Sequence, residues 1–293
     1  MRLLCATDLS SRADRALRRA GTLARDMLAT DPQTEVVLLS VVDDDQPARL
    51  VESERREVGA LLAEMSSAMQ ELQGLSPRLR VEAGDAFDTI IQVAEEEHAD
   101  LVVMGEHRKR LLRDVFVGTT IERVMRLGQR PVLMVNAPPA RPYRRVLATV
   151  DLSERSAHAL CTANRLGLLT CAELIVFHAF EPVPGHGAMM LADASDEAIQ
   201  DHVRHATAER RAELARFLRE LDLGKGSALP RMALEEGPPA PALRRAVTQL
   251  SPDLVVVGTR GHGALGRLVL GSFAEEALRT LDCDVLAVPP AAP

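Results

Sequence analysis

Aromatic residues are scarce in this chain: they make up 2% of its 293 residues, with one Tyr and no Trp. A surface that binds single-stranded nucleic acid by stacking needs several aromatic rings, so the composition argues against that class of protein. A general nucleic-acid binder also needs a basic face, whereas the formal net charge here is −7. We therefore expect no nucleic-acid partner.

Cysteines and lysines are also few. The four cysteines form no CxxC pair, and no histidine cluster has the spacing of a zinc site, so neither a metal site nor a disulfide framework is predicted. The cysteines are expected to be small apolar side chains of the core. Two lysines, Lys109 and Lys225, are the only candidates for lysine-dependent chemistry.

Long apolar runs are absent from the sequence. No run approaches the ~20 residues that cross a bilayer. Asp8 interrupts the apolar start of the chain too early for the hydrophobic region of a signal peptide. The sequence therefore predicts a cytoplasmic protein without a membrane partner. Hydrophobic residues still make up 46% of the chain, which is enough material for a substantial core.

The chain contains an internal repeat. The stretch "ADLVVMGEHR" (99–108) resembles "PDLVVVGTRG" (252–261), 153 residues further on. Near the start of each copy, "RLLCATDLSSRADRAL" (2–17) resembles "RVLATVDLSERSAHAL" (145–160), at a spacing of 143 residues. Self-similarity on this scale indicates two copies of one structural unit.

The two spacings differ by ten residues, which predicts a net insertion in the second copy. Residues 181–195 are the candidate, since they are rich in Pro and Gly and have no counterpart of that kind. A Pro-rich linker covers 137–142. We therefore predict domains at 1–138 and 143–293.

Each copy alternates short apolar strands with helices, a pattern typical of a parallel sheet covered on both faces. The fold class predicted is therefore α/β, with two tandem five-stranded Rossmann-like α/β/α domains. Thr119-x-x-Glu122 and Ser272-x-x-Glu275 predict capping boxes at the final helices. The strands predicted in the second copy are Val146–Val150, Leu174–Phe180, Ser227–Leu234, Leu254–Gly258 and Val285–Val288.

A glycine-rich stretch, "GTRGHGALGRLVLGS" (258–272), follows the fourth strand of the second copy. A Walker loop is excluded, because Arg267 and Leu268 stand where Lys and a hydroxyl residue are needed. A dinucleotide fingerprint would need an acidic residue at the end of the next strand. Asp282 and Asp284 precede that strand instead.

A more widely spaced subset of the glycines fits better: Gly258-x2-Gly261-x9-Gly271-Ser272. Gly258 lets the backbone turn close to a ligand, and Gly261 lets amides face phosphate oxygens. Gly271 and Ser272 lie at the start of a helix, where free N–H groups favour an anion. This spacing predicts a phosphate cradle.

Together with Asp151 at the end of the first strand, this pattern resembles the universal stress protein family, and the resemblance covers both copies. It implies an adenine nucleotide alpha hydrolase-like fold, ATP as the ligand, with or without Mg²⁺, and a role in the stress response. It also implies a two-fold pairing of the fifth strands, here as an intrachain pseudo-dimer, with a homodimer of whole chains as a further option. The predicted ligand contacts are Asp151, Ala179, Val257, Gly258, Gly261, His262, Gly263, Gly271, Ser272 and Phe273.

Three of these side chains have a second interpretation. Asp151 also fits an acid at a helix start, His262 a solvent-facing loop histidine, and Ser272 a helix cap that touches phosphate. His178, the neighbour of Ala179, is expected to be a hydrogen-bonded core histidine.

The first copy departs from the pattern, because it reads Gly105-Glu-His-Arg108-Lys-Arg110. Side chains where amides should face phosphates obstruct close backbone approach. We therefore predict one competent ATP site, in the second copy. Residues 108–110 either bind an anion through their side chains or form a solvated basic face.

No acid–base pair, metal cluster or catalytic residue is recognisable in the sequence, which favours binding over turnover. Two alternatives remain open. One is a slow ATPase or autophosphorylating enzyme that uses Ser272 or Thr119. The other is a scaffold that binds partners and holds nucleotide incidentally.

Overall fold

A computed structural model describes most of the chain: residues 1–11, 13–106, 119–139, 142–180, 195–221, 223, 230–259 and 270–291. In the first half the elements are β1 (Arg2–Ala6), α1 (Ala13–Leu28), β2 (Glu35–Val42), α2 (Ala48–Ala68), a 3₁₀ turn (Gln70–Leu72), β3 (Arg78–Ala83), α3 (Ala86–Glu96), β4 (Leu101–Gly105), α4 (Thr120–Leu127) and β5 (Val132–Val135). In the second half they are β6 (Arg145–Thr149), α5 (Glu154–Arg165), β7 (Glu173–Phe180), α6 (Asp196–Glu220), β8 (Arg231–Glu236), α7 (Pro239–Leu250), β9 (Leu254–Gly258), α8 (Ser272–Thr280) and β10 (Asp284–Val288).

The ten strands form a single sheet in the order β3-β2-β1-β4-β5-β10-β9-β6-β7-β8. Within each half all neighbouring strands are parallel, as the repeat predicted. Successive side chains of a strand point to opposite faces: Leu3 belongs to one apolar cluster and Leu4 to the other. Each cluster also contains residues of both halves, so the core is continuous across the repeat.

The two halves are joined through their fifth strands, which pair antiparallel. Leu133 lies opposite Leu286, with Val132 opposite Ala287 and Met134 opposite Val285. The central pair is itself related by the 153-residue spacing of the repeat, so an approximate two-fold axis passes through it. The pairing covers two strand edges that would otherwise be exposed.

Some element boundaries differ from those predicted. From the sequence, Ser153 is predicted to cap a helix that follows the first strand of the second half and continues to about Leu168. In the structure this helix ends at Arg165, because Gly167 takes a left-handed conformation (φ 71°) and terminates it. The third strand of the second half, expected at Ser227–Leu234, is β8, which runs in register with β7 through Glu236. Residues 181–194 of the proposed insertion lie outside the described residues.

The cysteines are less uniform than expected. Cys5 is buried in β1, where loss of hydration raises the pKa of its thiol. Cys161 and Cys283 are partly buried. Cys171 is exposed in the turn before β7, so the prediction of a core cysteine is wrong there.

Candidate functional site

Asp151 follows β6 and begins the turn into α5. Its carboxylate accepts hydrogen bonds from the backbone N–H of Ser153 (3.1 Å) and from the hydroxyl of the same residue. Ser153 is the N-cap of α5, as predicted, and its Oγ accepts from the N–H of Ser156. Asp151 is exposed. Both of its predicted roles are therefore compatible, since the carboxylate supports the helix start and is still exposed.

The same turn is present in the first half. Asp8 accepts a hydrogen bond from the N–H of Ser10 at 3.0 Å. Leu9 and Leu152, the residues after the two aspartates, both have positive φ (59° and 60°). A left-handed leucine costs on the order of 1–3 kcal/mol. Both halves therefore have the same strained turn after the aspartate that follows their first strand.

His178 and Ala179 lie near the end of β7. His178 is buried and donates a hydrogen bond from Nδ1 to the carbonyl oxygen of Val150 at 2.9 Å. This contact confirms the prediction of a hydrogen-bonded core histidine, and it fixes the chain just before Asp151. Ala179, next to it, is partly exposed. The strand registers place Val41 of the first half at the position of Ala179.

The end of β9 is joined to the start of α8. Val257 is fully buried, Gly258 is partly exposed and ends the strand, and Thr259 is buried. The N–H of Gly271 donates to the carbonyl oxygen of Thr259 at 2.8 Å. This contact brings together the two ends of the glycine loop. The glycine spacing gives no signal for the part played by Thr259.

The start of α8 differs from the prediction. The N-cap is Gly271 rather than Ser272, and Ser272 is the first residue of the helix. No side chain among the described residues forms a capping hydrogen bond there. The capping box predicted for Ser272 and Glu275 is therefore wrong. Ser272 is exposed and Phe273 partly exposed at this helix start.

The first half has a closed helix start at the equivalent position. Thr119 is the N-cap of α4, and its Oγ1 accepts from the N–H of Glu122 at 3.4 Å. The Glu122 carboxylate accepts in return from the N–H of Thr119 at 3.0 Å. This capping box was predicted and is confirmed. It places a negative charge at the helix start and uses N–H groups that would otherwise be free.

Glu275, the equivalent of Glu122, has a different partner. Its carboxylate forms an ion pair with Arg279 one turn further along α8, at 3.4 Å. The carboxylate is therefore drawn along the helix and does not close its start. An uncapped helix start exposes N–H groups that favour an anion.

The predicted contacts that can be located lie along one edge of the sheet. Strands β9, β6 and β7 are parallel neighbours, so Gly258, Asp151 and Ala179 are at their carboxyl ends, and α8 begins beside them. Ligands of open α/β sheets bind at this edge. Gly261, His262 and Gly263 lie outside the described residues.

The corresponding edge of the first half carries a cluster of carboxylates. Asp43, Asp44 and Asp45 follow β2, are exposed, and have carboxylate oxygens within 4.8 Å of one another. Glu122 adds a fourth carboxylate at the start of α4. Such an edge disfavours a polyphosphate. The glycine spacing gives no signal of these carboxylates.

Fold and site together define a class: a tandem α/β protein with a candidate nucleotide site at the carboxyl edge of one half. Comparison with known proteins identifies the family, because the model of the universal stress protein family matches residues 1–136 and 142–289. The chain belongs to the universal stress protein family.

Relatives match one half or most of the chain. A universal stress protein of Thermus aquaticus is 30% identical over 148 residues, which are 50% of this chain and 98% of that protein. One from Mycobacterium bovis is 24% identical over 241 residues, covering 80% of this chain and 77% of its own. The crystal structure of a universal stress protein from Archaeoglobus fulgidus covers 99% of this chain and 98% of its own, at 19% identity and a TM-score of 0.67, and thus shares the fold.

Within the described part of the chain, no helix combines the length and the apolar character that crossing a membrane requires.

Proposed function

We propose that this protein is a stress-response regulator that binds ATP through its second half. The observation that carries the proposal is the difference between two equivalent helix starts. Among the described residues, no side chain caps the start of α8, whereas α4 is closed by Thr119 and Glu122. Since phosphate binds to free N–H groups at a helix start, the second half is the better anion site.

The other described contacts suit the remainder of the nucleotide. Asp151 offers a carboxylate to a ribose hydroxyl, a pairing that parallel α/β sheets use. Gly258 and Gly271 leave room for phosphates beside the backbone. Ala179 offers a smaller side chain than Val41 offers in the first half. We assign Gly261, His262 and Gly263 to the phosphates on the sequence pattern.

Mg²⁺, when it accompanies ATP, is assigned to the phosphates. Among the described residues, the cluster of three carboxylates that could hold an ion is Asp43–Asp45, which lies in the first half. The proposal therefore gives the metal no protein ligand in the second half.

The proposal assigns no dedicated reaction to the protein and places it in the cytoplasm, with domains at 1–138 and 143–293. The pairing of β5 with β10 supports treating these domains as an intrachain pseudo-dimer. A homodimer of whole chains remains a prediction from the family resemblance.

One observation favours a second candidate, autophosphorylation. The Ser272 side chain is exposed and forms no capping hydrogen bond, whereas the Thr119 hydroxyl is used in its capping box. If the protein transfers phosphate to itself, we expect Ser272 rather than Thr119 to accept it. Incubation with γ-labelled ATP, followed by mapping of the labelled peptide, tests this candidate. Label on Thr119 would contradict it.

Calorimetric titration with ATP tests the leading proposal, and the expected stoichiometry is one ATP per chain. Mass spectrometry of ligand released from the purified protein identifies what the site had retained. Two results would overturn the assignment of ATP to the second half. One is a stoichiometry of two ATP per chain, and the other is unchanged ATP binding by the Gly261→Arg variant.

A further inference from the structure

Asp284, the first residue of β10, is a charged residue with no exposed surface. One carboxylate oxygen accepts from the backbone N–H groups of Asn136 (2.9 Å) and Ala137 (3.0 Å), just after β5. The other accepts from the hydroxyl of Tyr143 (2.7 Å), at the far end of the linker. A single buried carboxylate thus holds both ends of the connection between the halves.

The charge of Asp284 is balanced by Arg19, which comes from α1 of the first half. Arg19 Nε donates to Asp284 at 3.1 Å, and the two side chains are 5% and 0% exposed. The guanidinium also lies over the ring of Tyr143, 4.2 Å from its centroid. Burial and the Asp284 charge raise the pKa of Tyr143, which keeps its hydroxyl proton available as a donor.

This ion pair breaks the symmetry of the repeat. The spacing of 143 residues relates Arg19 to Thr162, and the spacing of 153 relates Asp284 to Pro131. Thr162 and Pro131 are also buried. The Thr162 hydroxyl oxygen has no hydrogen-bond partner among the described residues. The interface therefore contains one buried ion pair on one side of the approximate axis and an uncharged pair on the other.

The paired strands themselves do not distinguish the halves. β5 reads Val-Leu-Met-Val and the equivalent segment of β10 reads Val-Leu-Ala-Val. Leu133 and Leu286 are equivalent residues and lie opposite each other. On strand contacts alone, a first half fits another first half nearly as well as it fits a second half.

Three pairings are possible: two first halves, two second halves, or one first half with one second half. The buried charges distinguish between them. In a pairing of two first halves, each Arg19 faces Pro131; in a pairing of two second halves, each Asp284 faces Thr162. The first pairing removes the Asp284 carboxylate from Arg19, and the second removes the Arg19 guanidinium from Asp284. Separating a buried ion pair in this way is strongly unfavourable. Only the pairing of a first half with a second half brings Arg19 and Asp284 together. Specificity often depends on penalties of this kind against the wrong partner.

We propose that the Arg19–Asp284 pair makes the interface heterotypic: it accepts one first half with one second half and rejects the pairing of like halves from two chains. This inference concerns the interface between the halves and does not depend on nucleotide binding.

A thermodynamic cycle in the full chain measures the coupling. The variants are Arg19→Met, Asp284→Asn and the double variant, compared with the exposed pair Arg210–Glu213 treated in the same way. We expect each interface single variant to raise the unfolding equilibrium constant by about 100-fold or more, and the double variant to cost much less than the two combined. The exposed pair should couple by less than about fivefold.

A disulfide trap tests specificity directly. Leu133→Cys places a thiol at the two-fold axis, where only a pairing of two first halves brings Cys to Cys. The protein is refolded at high concentration and oxidised, and the 133–133 peptide is quantified by mass spectrometry, which separates it from native cysteines. With Arg19→Thr added, we expect about tenfold more of this peptide than with Leu133→Cys alone.

The physical reason is that Arg19→Thr makes the charge cost of like and mixed pairings equal: two unbalanced Asp284 side chains per two chains in either case. If Arg19→Thr does not refold, Arg19→Met/Asp284→Asn in the Leu133→Cys background decides, since it carries neither charge. A yield of the 133–133 peptide that is no higher than in the Leu133→Cys protein would overturn the proposal, as would a coupling no larger than that of Arg210–Glu213.

Discussion

The starts of α4 and α8 occupy equivalent positions in the two halves, and both carry a hydroxyl residue followed by Glu three positions later. In α4 this motif closes on itself, with Thr119 and Glu122 exchanging hydrogen bonds. In α8 Glu275 pairs with Arg279 instead, and no side chain of the described residues caps the helix start. The comparison shows that one motif can either close a helix start or leave its N–H groups without that cap, depending on which partner the glutamate takes.

The surroundings of the two helix starts reinforce this difference. The first-half edge carries Asp43, Asp44 and Asp45 beside the closed capping box. Both halves nevertheless retain the strained turn with a left-handed leucine after the first strand. The two halves therefore share the turn after their first strand and differ at the start of their last helix.

The largest expected effect comes from transferring the first-half loop residue to the second half. Gly261→Arg places at the second-half loop the residue found at the equivalent Arg108. We expect ATP affinity to fall by about 100-fold or more, since two charge-assisted backbone contacts are lost. Calorimetry measures the change, and Gly266→Arg in the same loop is the matched control, for which near-normal affinity is expected. Equal losses in both variants would contradict the glycine assignment.

The two strand-one aspartates should respond differently. Asp151→Asn removes a charge-assisted hydrogen bond to the ribose, and we expect ATP to bind about tenfold more weakly. Asp8→Asn is the matched control, because the turn around Asp8 is the same but its half is predicted not to hold ATP. An effect of Asp8→Asn equal to that of Asp151→Asn would show that the first half also binds the nucleotide.

The helix starts should separate stability from binding. Thr119→Ala removes a side-chain cap, so the free energy of unfolding should fall by about 1 kcal/mol while ATP affinity is unchanged. Ser272→Ala removes no cap and should cost less than about 0.5 kcal/mol, but it should weaken ATP binding. Denaturant titrations and calorimetry on both variants provide the measurements. A similar stability loss in both would mean that Ser272 caps α8 in solution.

The smallest expected effect is a pH dependence of the stability that Glu97 of the first half contributes. Burial of Glu97 favours its neutral form, but hydrogen bonds from Arg78 and Arg80 outweigh burial and lower its pKa below the ordinary 4.5. A depressed pKa contributes stability above the unfolded-state value, and that contribution is lost as pH falls through the folded-state value. The equivalent position in the second half holds Leu250, which does not titrate.

Glu97→Gln should therefore lower the Tm at pH 7, and the difference in Tm from the unmodified protein should narrow as the pH falls below 4.5. Thermal melts across this range measure it, with the exposed Glu213→Gln as control. A difference that is constant with pH would show that the carboxylate charge is not responsible.

Much of the fold could be predicted because its signals are local. Apolar runs such as Leu254–Gly258 matched their strand, and Ser153 was recognised as a helix cap. The third strand ends at Glu236, beyond the predicted Leu234, because short apolar runs do not define their own ends and its register is set by contact with β7. For the candidate site, the sequence predicted Asp151 and Gly258 as ligand contacts, and the structure places both at the carboxyl ends of neighbouring strands. It misassigned Ser272, since a capping motif does not reveal a competing partner such as Arg279.

By itself, the sequence determined the tandem repeat, the parallel α/β architecture and the copy that keeps the glycine spacing. These follow from residue periodicity and from backbone conformations that side chains hinder. Only the tertiary structure decided that Leu133 meets Leu286, that Glu122 closes its helix while Glu275 turns to Arg279, and that Arg19 reaches Asp284 from 265 residues away. These contacts depend on which partners compete for the same group in space, and local sequence does not record that competition.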